Sequence, residues 1–127
     1  MTRLMKYDEL YKALAENAAL MAKVSGIYDE PPDDAASPYI AVASVQNVND
    51  ELIDNSGSEV TVDLWARASA SAGGRKQILE INDLIIAAVP SWALYDGIEI
   101  MRDAAEPDWW HGVVTLRYYD NRRNDNG

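Results

Sequence analysis

Residues 59–68 alternate between apolar and polar side chains, with Trp65 alone departing from the polar set. Val60, Val62, Leu64 and Ala66 fall on one side of an extended chain; Glu59, Thr61, Asp63, Trp65 and Arg67 fall on the other. A period of two marks a strand with one face in a core. A strand of this kind needs neighbours to pair with and a layer to cover its apolar side. The remaining sequence must supply both.

Two segments supply the cover. Leu4, Tyr7, Tyr11, Leu14, Ala18 and Met21 are spaced by three and four residues, which is one face of a helix. Asn17, followed by Ala-Ala-Leu-Met-Ala, is a good N-cap, so this helix is expected to break there and restart, with Ser25-Gly26 closing the second piece. Residues 75–89 form the second major helix. Ile78, Leu79, Asn82, Ile85, Ile86 and Val89 recur at helical spacing, Ile81 and Leu84 widen the stripe, and Pro90 stops it. Strands are expected at residues 39–47, 98–103 and 111–119. In the first of them Ile40 and Val42 alternate with Tyr39, Ala41 and Ala43, so both of its faces are apolar and both should be covered. The order α-β-β-α-β-β predicts an α+β fold: a mostly antiparallel four-stranded sheet packed by an N-terminal and a central helix. Val60, Val62, Leu64, Ile98, Ile100, Val114 and Leu116 would share its core. Residues 1–119 read as a single domain and 120–127 as a polar tail that frays.

The connections are distinctive. Residues 27–38 hold Pro31, Pro32 and Pro38 with Asp29, Glu30, Asp33 and Asp34, a composition that fits an ordered arm and neither a helix nor a central strand. Residues 48–58 are polar and read as a long, mobile hairpin connection; residues 69–74 are a loop of small residues.

Few residues point to chemistry. The chain has no Cys, which excludes thiol chemistry, and a single His, His111, which argues against His-based metal sites and triads. Gly73-Gly74-Arg75-Lys76 opens a helix, but the upstream Gly of a phosphate loop is missing and Gln77 stands where Ser or Thr is required. A plain loop-to-helix connection is the better reading. The acids of residues 29–34 lack calcium-loop spacing and read as solvated surface. His111, beside Trp109 and Trp110, reads as a strand-end packing residue. No cofactor or metal is expected. With 21 acids against 11 bases the chain carries a formal charge of −10, which opposes non-specific binding to nucleic acid. No apolar run reaches the roughly 18 residues of a membrane span, and the N-terminus lacks the apolar core of a signal peptide, so assembly in a cytoplasm is expected.

The aromatic inventory is unusual: four Trp and seven Tyr with no Phe, a bias that suits protein interfaces. Trp65 points away from the expected core, between Asp63 and Arg67. Either it is an exposed hot spot, or the second helix or the N-terminal segment covers that face as well.

Taken in order, four segments resemble the small bacteriophage tail-completion, or tail-terminator, family. They are the N-terminal helix ending in Leu20-Met21-Ala22-Lys23-Val24-Ser25-Gly26, the stretch from Ile27-Tyr28-Asp29 through Pro31-Pro32 to Ser37-Pro38-Tyr39-Ile40-Ala41-Val42, the strand Val60-Thr61-Val62-Asp63-Leu64-Trp65-Ala66-Arg67, and the strand from Trp109 to Tyr119. The resemblance implies a structural virion protein, not an enzyme. Its α+β subunits would assemble into rings, typically hexamers, on the head-proximal end of a tail tube. Such a ring ends tube growth, faces a neck or head-completion protein, and lets DNA pass through its lumen without specific binding. On this reading the contact residues would be Asp63, Trp65 and Arg67, the hairpin residues Asp50, Glu51, Asp54 and Asn55, and the arm residues Asp29, Pro31, Pro32 and Asp33. A monomeric α+β ligand-binding domain is the alternative.

Overall fold

The computed structural model describes residues 3–50, 55–69 and 73–120. The elements are α1 (Arg3–Ala15), α2 (Ala18–Met21), β1 (Ile27–Tyr28), β2 (Tyr39–Asp50), β3 (Asn55–Arg67), α3 (Gly74–Ala88), β4 (Leu94–Arg102) and β5 (Trp109–Asp120). The strands form one sheet in the order β1-β2-β3-β5-β4. The α+β class stands, but the sheet has five strands and is mixed, because Ile27 and Tyr28 pair in parallel with Ile40 and Ala41. Two residues ahead of a proline-rich arm carry no periodicity, so this strand is set by tertiary pairing alone. The other ladders are antiparallel.

The alternation of β3 organises the core. Val60, Val62, Leu64 and Ala66 are fully buried, together with Val114, Leu116 and Tyr118 from β5 and Ile40 and Val42 from β2. Leu10 and Leu14 of α1, Leu20 of α2, and Ile78, Ile81 and Ile85 of α3 close over them. Each such side chain contributes about 1.5–3 kcal/mol on burial. Ile98 and Ile100 pack at the margin of this core, half-buried. Ala41, on the other face of β2, is also buried.

The break at Asn17 occurs as expected: its backbone is extended (φ −78°, ψ 111°) and its side chain accepts a hydrogen bond from the Leu20 amide at 2.9 Å. On α3 the buried face is narrower than the sequence stripe. Leu79 and Ile86 are exposed, at 45% and 42%, while Ile78, Ile81 and Ile85 turn into the core.

The polar stretch at residues 48–58 is not a long loop. β2 runs on to Asp50 and β3 starts at Asn55, with Val48, Asn49 and Asp50 paired to Gly57, Ser56 and Asn55. Backbone pairing needs no apolar side chains, so polarity hid the strands. Residues 51–54 lie outside the described residues. β4 likewise starts earlier than expected, at Leu94, with a register shift between Tyr95 and Ile98. Asp120 belongs to β5, and the rest of the expected tail, residues 121–127, lies outside the described residues. No helix among the described residues is long and apolar enough to cross a membrane.

Gly112 lets α3 approach. It pairs with Leu64 and Ile100, and a Cβ there would lie 2.6 Å from Ile78 Cγ2. Gly112→Ala should therefore cost about 1–3 kcal/mol, the range for overpacked cores. Denaturant unfolding would measure this as a lower midpoint at an unchanged slope.

Candidate functional site

The helices occupy one face of the sheet, and no described element covers the other. Where β2 begins, β3 ends and β5 begins, the register sets Tyr39 opposite Trp65 and Trp65 opposite His111. Side chains directly opposite on neighbouring strands stand close enough to touch, and here they form a row of rings. Trp65 stacks on His111 with centroids 4.0 Å apart and planes 5° from parallel, and on Tyr39 at 6.4 Å and 18°. Tyr28 and Trp109 meet Tyr39 edge-on at 6.2 Å and 5.9 Å. Tyr39, Trp65, Trp109 and His111 are all half-buried. The two alternatives for Trp65 thus resolve into a third arrangement: no helix covers it, and its flanks are taken by other rings.

Charged groups rim the row. Asp63 Oδ1 lies 3.2 Å from His111 Nε2. Arg67 Nε donates to Asp108 Oδ2 at 2.9 Å, and its guanidinium lies 6.0 Å from the Trp109 ring. That hydrogen bond holds the exposed Asp108 carboxyl below its ordinary range. The end of β3 is fixed by its neighbours as well. The Arg67 amide donates to Ser37 Oγ at 2.8 Å, and Gln77 Nε2 of α3 donates to the Arg67 carbonyl at 3.1 Å. Burial pushes the Tyr39 hydroxyl above its ordinary value, and the negative charges of Asp63, Glu106 and Asp103 add to the shift.

Of the residues singled out from sequence, Asp63, Trp65 and Arg67 come together here. The arm residues do not join them. Asp29, Pro31, Pro32 and Asp33 are exposed along the β1 margin of the sheet, where Asp29 accepts a hydrogen bond from the Tyr7 hydroxyl of α1. Asp50 and Asn55 form the last pair of the β2–β3 ladder, at the opposite end of β3, and Glu51 and Asp54 lie outside the described residues. Sequence reasoning missed Tyr39, Trp109 and above all His111 as members of the patch. The one available signal was strand phase: His111, Val113 and Thr115 alternate with the apolar-facing Gly112, Val114 and Leu116. Phase alone does not say which residue stands opposite.

A row of interlocked rings with charged flanks is a surface for contact, and among the described residues no group of three His, Asp or Glu side chains is arranged to hold a metal. The family model for tail completion protein gp17 matches residues 8–119. The chain belongs to that family, and with it to the structural proteins of the phage virion. Among curated proteins no sequence relative is found. Among solved structures, the fold is shared with a chain from the virion of a native gene transfer agent (GTA) particle. The TM-score is 0.66 at 16% identity, over 87% of this chain and 90% of that one.

Tyr39 yields a pH prediction. A hydroxyl whose pKa is raised in the folded state leaves stability intact below the unfolded value of 10.0. Above that, the unfolded chain loses its proton first and gains, so stability falls as pH rises toward the folded value. Tyr39→Phe should make the alkaline decline shallower, and denaturant titrations on either side of pH 10 would measure the difference.

Proposed function

We propose that this protein assembles as a ring on the head-proximal end of a phage or phage-like tail tube. There it ends tube growth and presents the surface to which the neck or head joins. The observation that carries this reading is the Tyr39–Trp65–His111 row, half-exposed on a sheet face that no described helix covers. Aromatic clusters flanked by charge are where binding energy concentrates in protein interfaces. Membership of the tail completion family supports a position at the end of the tail. Such a ring has as partners copies of itself, the tail tube protein and a neck or head-completion protein. An excess of acid suits a wall past which DNA slides, because like charges weaken adhesion.

Within this reading Asp63, Trp65 and Arg67 meet the tube or the adjacent subunit. Asp50, Glu51, Asp54 and Asn55, in and around the β2–β3 connection, contribute a further contact with a ring or tube partner. Asn55 is far from the aromatic row: ten residues of β3 separate it from Trp65, about 33 Å at the rise of an extended chain.

Imaging of tails carrying the protein should place it at one end, in a closed ring. Density along the whole tube, or a protein that stays monomeric and never joins tails, would defeat the proposal. Trp65→Ala should weaken attachment to tail ends by about 30-fold or more, the effect of losing one interface hot spot. It should cost less stability than Leu64→Ala, whose side chain is fully buried. Pull-down on purified tails, paired with thermal unfolding, separates the two effects.

A further inference from the structure

A second surface stands apart from the aromatic row. At the start of α3, Gly73, Arg75, Lys76 and Leu79 line an open groove with Arg102 of β4 and Trp110 of β5. The guanidinium groups of Arg75 and Arg102 each lie 4.8 Å from the Trp110 ring. Gly74 makes this packing possible: a Cβ there would lie 2.2 Å from Trp110 Cδ1 and 3.1 Å from the Ala66 carbonyl oxygen. Among the described residues, none of Arg75, Lys76 and Arg102 has a carboxylate at ion-pair distance. In a chain with 21 acids and 11 bases, three adjacent cations with no anion partner among the described residues form a concentrated exception. Stacking on an indole leaves their charge in place.

The complement lies on the same chain, at the other margin of the sheet. Residues 29–34 read Asp-Glu-Pro-Pro-Asp-Asp and are exposed throughout. Glu30, Asp33 and Asp34 have no cation at ion-pair distance among the described residues. Pro31 and Pro32 belong to no helix or strand, and the Ala35 amide closes a turn onto the Pro32 carbonyl at 3.1 Å. Proline-rich segments have little conformational freedom to lose and dock on aromatic grooves. The groove offers an indole and Leu79 for the prolines and three cations for the flanking acids. The arm hangs from β1, one edge strand, whereas Arg102 ends β4, the other. Four strand spacings separate these edges, about 19 Å, and among the described residues no ion pair joins residues 29–34 to Arg75, Lys76 or Arg102 of the same chain.

We propose that the groove at Trp110 receives the arm of a second copy, residues 29–34, with the prolines against Trp110 and Leu79 and the acids against Arg75, Lys76 and Arg102. The contact joins two different surfaces, one on each copy. It is therefore head-to-tail, and repeated copies close into a ring when the rotation allows. The inference rests on the ring reading above and names the subunit contact within it.

The absence of cysteine makes the test clean. The double variant D33C/K76C, oxidised after purification and again on tails, should give a ladder of disulfide-linked multimers. D33C alone and K76C alone should give none. Two charge reversals supply a second readout that does not need a disulfide. R75E/R102E and E30K/D33K should each lower self-association at least tenfold, and a mixture of the two should recover it, since each restores the other's opposite charge. Native mass spectrometry follows the assemblies, and the recovery certifies that both variants are folded. A ring without ladder or recovery overturns this contact and leaves the ring reading intact. No ring under any condition, on tails included, overturns both. Duplex DNA that binds the wild-type groove and is lost in R75E/R102E, with assembly unchanged, assigns the groove to nucleic acid and overturns the contact.

Discussion

The fold depends on β3 having two different faces. Val60, Val62, Leu64 and Ala66 are sealed under α1, α2 and α3, while Trp65 on the other face stacks between Tyr39 of β2 and His111 of β5. Both properties come from one period-two pattern. A shift of one residue in register would bury Asp63 and Arg67 and expose Val62, Leu64 and Ala66. The apolar face therefore holds the aromatic face in place: the burial that fixes the register also sets Trp65 opposite His111.

That division explains what the sequence discloses. β3 and α3 are legible because their apolar residues repeat over many positions. The capped break at Asn17 is legible because one side chain satisfies an orphan amide. β1 escapes because two residues carry no period. The outer halves of β2 and β3 escape because a ladder built on backbone groups tolerates Asn, Ser, Gly and Asp. The exposure of Leu79 and Ile86 escapes because helical spacing gives a stripe but not how much of it is buried.

The candidate site follows the same logic. Trp65 stands out because a large aromatic interrupts a polar face. His111 does not, because its meaning lies in a partner 46 residues away, the difference between 111 and 65 in the paired register. Arg75 and Arg102 come from different elements and converge only through Trp110. The acids and prolines of the arm are visible in sequence as composition, but that no cation among the described residues stands at ion-pair distance from Glu30, Asp33 and Asp34 is visible only in the structure.

The continuity of β3 has a mechanical consequence. It is a single strand from Asn55 to Arg67, paired along both flanks. Ladder hydrogen bonds in antiparallel pairs run perpendicular to the strands. A force directed along β3 therefore loads those bonds in shear, together, instead of peeling them in sequence. The polypeptide is therefore stiff along the line from the Asn55 end of β3 to its cluster of rings.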